Sequence, residues 1–367
     1  MAVLRAEFDN ILCFNDFIVD FTYPKKLVKS SVEGEFLKNF PNIKYKKVNI
    51  LIGTNASGKT SLGKAIWKTF VFLRDKEANP LRRMIADENR TASILLDCVF
   101  EQGYFYRLEV RLESNGDTLA RYRDLYLNKD DSYKSLIDRL PDVPFQNHTV
   151  ALDIDYKEGW NFRFPSIESG FDYIHCKYAD NEQEEFLNTF QTVLKTFDPS
   201  IDSVFKSVEQ EDTYIIKLKG GKTVSVKHGE KLSELHYLSS GTKYAINIAN
   251  VICSIKNHTN GFYYVDEQFS YVNSEIEIAC LTTMIDLLGD GEQLIFTTHN
   301  EEIMELPLPI HSFSFMRKKE DENGEYNVEL INASSFEKRN NVNVKNLYDN
   351  DYFDVFPDTK KMFDIVS

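Results

Sequence analysis

Residues 48–60 constrain this chain more than any other stretch. Val48-Asn49-Ile50-Leu51-Ile52 is a short apolar run, and Gly53-Thr54-Asn55-Ala56-Ser57-Gly58-Lys59-Thr60 after it fits G-x-x-x-x-G-K-[ST]. From Ser61 onward Leu62, Ala65, Ile66, Trp67, Phe70 and Val71 recur at helical spacing. The stretch is therefore strand, loop, helix. A glycine-permitted loop lets successive backbone amides converge on one anion, and the helix that follows adds the positive end of its dipole. The pattern predicts an ATP phosphate cradle built from Gly53, Asn55, Ala56, Ser57, Gly58, Lys59, Thr60 and Ser61. Lys59 is expected on the β- and γ-phosphates and the Thr60 hydroxyl on Mg2+.

Three later stretches extend this chemistry. Phe262-Tyr263-Tyr264-Val265 is an apolar strand that delivers Asp266 and Glu267 to its carboxyl end, where ligands sit in open α/β sheets. Asp266 is expected to hold the Mg2+ shell and Glu267 to polarise the water that attacks the γ-phosphate. Phe296-Thr297-Thr298-His299 ends a second buried strand and places His299 to hydrogen-bond the γ-phosphate and report ATP against ADP. The third is Leu238-Ser239-Ser240-Gly241-Thr242-Lys243, at the start of a helix. Its Ser239, Ser240 and Gly241 make a second phosphate site, which one P-loop does not need, so it is expected to serve the ATP of another protomer. The alternative is a serine cap on a helix and nothing more.

The rest of the chain supplies the frame. Leu4–Phe8 and Phe17–Phe21 read as paired strands. Ser93–Phe100, Tyr104–Leu112 and Thr149–Asp155 read as an antiparallel side layer. Asp180–Phe197 reads as an amphipathic helix, and Thr213–Leu218 with Thr223–Val226 as a hairpin turning on the positive φ of Gly220-Gly221. No sustained heptads fill residues 61 to 237, which excludes a long coiled-coil arm. The expected division is a P-loop lobe with the β layer at 1–178, a helical signature lobe at 179–260, a lobe at 261–335 carrying the acids and His299, and a tail at 336–367.

With 367 residues, 42% of them apolar, the chain can bury a full core. A formal charge of −14 repels phosphate backbones and favours a protein partner over nucleic acid. The small basic clusters, Lys44/Lys46/Lys47, Arg82/Arg83 and Arg317/Lys318/Lys319, read as solvated faces. Five scattered cysteines without C-x-x-C spacing point to reduced core thiols, and His175-Cys176 has no further ligands to close a metal site. No apolar stretch is long enough for a membrane span and no signal segment opens the chain, so the expected place is the cytoplasm.

On these residues the chain resembles the ABC-type ATPases of the SMC and RecF group. It resembles still more the compact ABC-like AAA proteins of bacterial anti-phage systems, similar to the ATPase half of OLD-family proteins. The resemblance rests on 55–61, 238–243, Asp266-Glu267 and 298–300. It implies an α/β ABC-ATPase head with a parallel P-loop core, an antiparallel side layer and a small helical signature lobe. It implies a Mg2+-dependent ATPase that dimerises around sandwiched ATP, or forms a higher oligomer, and controls a separately encoded effector such as a nuclease or toxin. The alternative is a RecF-like maintenance ATPase that clamps DNA; a transporter subunit fits less well. Four features depart from the pattern. Leu12 stands where an arginine is usual, and Asn273 replaces the D-loop aspartate near Ser270. The Mg2+-sensing glutamine has only Gln183 and Gln191 as candidates. Asp153-Ile154-Asp155 resembles the D-x-D of a TOPRIM nuclease but lies before the signature stretch, and the chain ends too soon for such a domain.

Overall fold

The computed structural model describes residues 1–23, 30–147, 159–165, 180–227, 229–231, 235–320, 324, 326–337 and 342–356. The chain forms two compact units: one from Met1–Asp155 with Ile295–Ser367, the other from Tyr156–Leu294. The Thr149–Asp155 run, including Asp153-Ile154-Asp155, and His175-Cys176 lie outside the described residues.

The first unit opens with β1 (Ala2–Asp9) and β2 (Phe17–Asp20), antiparallel to one another. The short hairpin of β3 (Phe36–Leu37) and β4 (Phe40–Lys44) follows, then β5 (Val48–Gly53), buried along its whole length. The loop after β5 runs into α1 (Lys59–Asp75) and the single turn α2 (Asn79–Arg82). β6 (Ala92–Phe100), β7 (Tyr104–Leu112) and β8 (Thr118–Tyr126) form an antiparallel meander; α3 (Tyr133–Arg139) and β9 (Gln146–Asn147) complete the segment. The side layer is thus a six-stranded antiparallel sheet in the order β2-β1-β6-β7-β8-β9. Ala2, Leu4, Tyr45, Val99, Phe105 and Leu136 pack a core between it, β4 and α3. After β1, Asn10 is buried at φ 57 and donates from Nδ2 to the carbonyls of Asp87 (2.8 Å) and Arg90 (2.9 Å), while its Oδ1 accepts from the Asp87 amide. This lock fixes the turn bearing Leu12, Cys13 and Phe14.

The second unit holds β10 (Gly159–Arg163), α4 (Asp180–Phe197), the antiparallel meander β11 (Ile201–Lys206), β12 (Thr213–Leu218) and β13 (Thr223–Lys227), then α5 (Ser240–Lys256), β14 (Asn260–Asp266) and α6 (Ser274–Leu287). β10 runs parallel to β14, stacking Phe162 on Tyr264 at 5.8 Å. The apolar stripe foreseen for α4 packs inward: Phe186 and Phe190 lie 5.4 Å apart against Tyr214 of β12. In the hairpin only Gly221 takes a positive φ, 80°; Gly220 does not, so one glycine suffices for the turn.

β15 (Gln293–Thr298), β16 (Phe313–Glu320), β17 (Tyr326–Asn332) and α7 (Val344–Asp349) end the described chain. In the first unit the order is β15-β5-β16-β17, with β16 parallel to β5 and β17 antiparallel to β16. His311 and Glu35, both fully buried, meet at 2.5 Å, and Ser30 donates to the other oxygen of Glu35. No described helix exceeds 18 residues, so no coiled-coil arm is present among the described residues, and none is long and apolar enough to cross a membrane.

The expectation of solvated faces holds for Arg83, Lys318 and Lys319, which are exposed, and is corrected at Lys46, Lys47, Arg82 and Arg317. Lys46 and Lys47 are buried, with their ammonium groups on the carbonyls of Asp20 (2.7 Å) and Glu33 (2.9 Å). Arg82 donates to Thr118 Oγ1 and to the Glu113 and Asp117 carbonyls. Arg317 bridges Glu329 and Asp354. Lys46, Lys47, Arg82 and Arg317 thus spend their charge on local acceptors, as long side chains with buried stems do. Cys98, Cys253 and Cys280 are buried thiols, and burial pushes Cys280 up to about 12.

Candidate functional site

The phosphate loop sits at the carboxyl end of β5. Gly53 has no room for a side chain: an added Cβ would lie 2.3 Å from the Met316 carbonyl oxygen and 2.7 Å from Ser57 Oγ. Gly58 is held at φ 106, where a Cβ would press on Cys13 Sγ, Met316 and Phe14, and Ala56 is also left-handed at φ 63. These conformations are uncommon for residues with side chains and turn consecutive amides to one side. Lys59 is buried, and its Nζ spans the loop to the carbonyls of Gly53 (2.8 Å) and Thr54 (3.2 Å). α1 begins on Gly58, which has no side chain to cap the helix start. Ser57 Oγ is buried without a hydrogen-bond partner. An uncapped helix start, an unpartnered hydroxyl and a glycine cradle fit a phosphate-bearing ligand. Asn55 and Ala56 are exposed, Thr60 and Ser61 half-buried. His299 stands exposed just past β15, in the same unit.

In the second unit β14 ends in the fully buried Asp266. Glu267 follows at φ 46, a left-handed conformation that costs a glutamate about 1–3 kcal/mol and persists only where the surrounding structure holds it. Two donors hold this corner: Gln268 Nε2 to the Asp266 carbonyl at 3.0 Å, and Ser270 Oγ to the Glu267 carbonyl at 3.1 Å. Asn273 caps α6, its side chain accepting from the Glu275 amide at 2.8 Å. Asparagine caps as well as aspartate, so the departure at 273 leaves this local structure intact. Among the glutamine candidates, Gln191 accepts from the Val204 amide at 3.0 Å and serves the fold; the side chain of Gln183 is outside the described residues.

The signature turn opens α5 in that same unit. Ser239 is its N-cap and accepts from the Thr242 amide at 3.1 Å. The Thr242 hydroxyl reaches Asp198 at the end of α4, 3.1 Å away. Burial raises the Asp198 carboxyl, but hydrogen bonds from Ser200 and Thr242 outweigh it and hold the group below the ordinary carboxylate range. Ser239 and Ser240 are exposed and Gly241 half-exposed. Unlike Gly53, Gly241 is not required by its own protomer: its φ is not left-handed and a Cβ would meet only ordinary contacts, the nearest being the Tyr271 carbonyl at 3.5 Å.

Three solved structures share this architecture. A SmcHead bound to the C-winged helix domain of ScpA superposes with a TM-score of 0.53 at 13% identity, covering 92% of this chain and all of the other. The Smc head domain from Pyrococcus furiosus, with an extended coiled coil and bound to the C-terminal domain of ScpA, gives 0.52 at 12% identity over 92% and 98% of the two chains. That from Pyrococcus yayanosii, with a coiled coil and joint, gives 0.52 at 8% over 89% and 96%. The chain has the SMC-head fold. No family model matches the sequence, and no curated protein does. Identities this low establish the head fold and nothing finer.

Within this head the expected residues are divided. Gly53–Ser61 and His299 belong to the first unit; Ser239–Gly241, Asp266 and Glu267 belong to the second. Gln268 escaped the sequence reading because the motif ends at its two acids. The available signal was a long polar residue directly after the two acids at the end of a buried strand.

Proposed function

We propose that this chain is a Mg2+-dependent ATPase switch that dimerises around ATP and controls a separately encoded effector. Gly53, Gly58, Lys59 and the first turn of α1 bind the phosphates, with Asn55, Ala56, Ser57 and Ser61 shaping the loop. Thr60 and Asp266 would hold the metal, which would supply screening of the phosphate charge. Glu267 orients the attacking water and accepts its proton, and His299 hydrogen-bonds the γ-phosphate. Ser239, Ser240 and Gly241 complete the site of a second copy. The observation that carries the dimer is Gly241. A glycine that its own protomer does not need fits close approach by something from outside, and it stands on an exposed helix start suited to phosphate.

The effector role follows from the acidic surface and from the motif resemblance, which also makes anti-phage defence the setting and the cytoplasm the place. The test is Glu267→Gln expressed beside its genetic neighbours, with Lys59→Ala as control. The expected result is ATP retention, slow turnover, a dimer by light scattering, and one copurifying protein that Lys59→Ala does not retain. Turnover in Glu267→Gln equal to that of the parent would sink the catalytic assignment. Salt-sensitive recovery of DNA with no protein partner would favour the DNA-clamping alternative.

A further inference from the structure

Helix α5 is more than a carrier for the signature turn. Gly241, Tyr244 and Asn247 recur every third residue and so share one face. All three meet the loop that follows β14. Gly241 lies against the Tyr271 carbonyl. Tyr244 stacks on the Tyr271 ring, centroids 5.6 Å apart and planes 20° from parallel. Asn247 Nδ2 donates a long hydrogen bond, 3.4 Å, to Gln268 Oε1. The other end of the Gln268 amide donates to the Asp266 carbonyl at 3.0 Å, one peptide before the left-handed Glu267. Asn247, Gln268 and Asp266 are all buried, Gln268 and Asp266 completely.

We propose that Gln268 is a positioning residue that couples the signature helix to Glu267. This inference rests on the ATPase reading and deepens it by naming how the far side of the site is reported to the water-activating carboxylate. A shift of α5 when its first turn engages the second copy's nucleotide moves Asn247 and the Tyr244–Tyr271 stack together. The buried Gln268 amide is the side-chain link from that face to the peptide on which the Glu267 conformation depends. Each end of this fully buried amide has one protein partner, so the link transmits displacement rather than exchanging it with solvent. The geometry also explains a polar residue at position 268: an apolar side chain of the same size fills the volume but neither donates to Asp266 nor accepts from Asn247.

The test is steady-state ATPase kinetics with full-length parent, Gln268→Met, Asn247→Ala and the double variant. Thermal melting and equilibrium binding of a non-hydrolysable ATP analogue are measured on each. Gln268→Met preserves volume and removes both hydrogen bonds. Its kcat is expected to fall on the order of 10- to 100-fold, the loss that a slightly misplaced catalytic group brings, with KM and analogue affinity within about twofold of the parent. Asn247→Ala falls less, and adding it to Gln268→Met costs nothing further, because the two act through one path. A folded Gln268→Met that turns over like a working parent would overturn the relay, as would losses that multiply independently. A parent that neither binds the analogue nor hydrolyses ATP, and so matches Lys59→Ala, would overturn the ATPase reading itself.

Discussion

The two glycine turns of this head are built on opposite principles. The phosphate loop is closed by its own chain: Gly53 against the Met316 carbonyl, Gly58 against Cys13, Phe14 and Met316, and Lys59 strapped across two carbonyls. The signature turn is capped by Ser239, tied back through Thr242 to Asp198, and otherwise open, with a glycine that its protomer does not use. A glycine that its own fold requires and a glycine that it does not require look alike in a motif. The space around them tells them apart.

Gly53→Ala tests one side of this contrast and carries the largest expected effect. A Cβ 2.3 Å from a backbone oxygen forces β5 away from β16. That overpacking costs on the order of 1–3 kcal/mol or more, and ATP binding is lost with it; differential scanning calorimetry and analogue titration read the two. Gly241→Ala is the counterpart. The monomer's melting temperature is expected to stay within about 1 °C of the parent, since alanine suits a helix better than glycine, while ATP-dependent dimerisation and turnover fall by roughly tenfold or more, the cost of losing about 1.4 kcal/mol at an interface. A melting temperature that drops as far as for Gly53→Ala would erase the distinction. Ser239→Ala removes a helix cap and is expected to lower stability by about 1 kcal/mol, a modest shift in urea midpoint with no change in slope.

The smallest effect concerns pH. Because the Asp198 carboxyl lies below its unfolded value, its ionised form stabilises the native state at every pH above the unfolded pKa of about 3.9, and that contribution fades as pH falls through the lower folded value. Asp198→Asn is therefore expected to lower stability slightly at neutral pH, to converge with the parent as pH falls through the folded value, and so to flatten the acid limb of the stability curve. A steeper acid limb in the variant would contradict the hydrogen-bonded anchor.

Much of this was legible in the sequence because periodicity and chemistry agreed. α4 spans Asp180–Phe197 as its apolar stripe predicted, β14 ends at Asp266, and the P-loop lies between β5 and α1. What stayed hidden depended on contacts between residues far apart in sequence. Lys46 and Lys47 looked like surface charges because their acceptors are carbonyls 26 and 14 residues away. The left-handed φ of Glu267 has no signature, since glutamate is an ordinary residue and the strain is imposed by Ser270, Gln268 and the fold around them. Gly220-Gly221 offered two glycines for one demanding position. Gln191 was a poor glutamine candidate for a similar reason: its side chain, in a helix, is spoken for by a neighbouring strand.

The pairing of β5 with β16 has a consequence for how the protein is made. The wall behind Gly53 is supplied by Met316, so the nucleotide loop cannot take its final shape until the ribosome has passed that residue. At roughly 5–20 residues per second, the P-loop spends on the order of tens of seconds outside the ribosome before its supporting strand emerges. A nascent chain therefore carries the glycine-rich motif long before it carries the folded loop, and a translation product ending before Met316 would lack the wall behind Gly53.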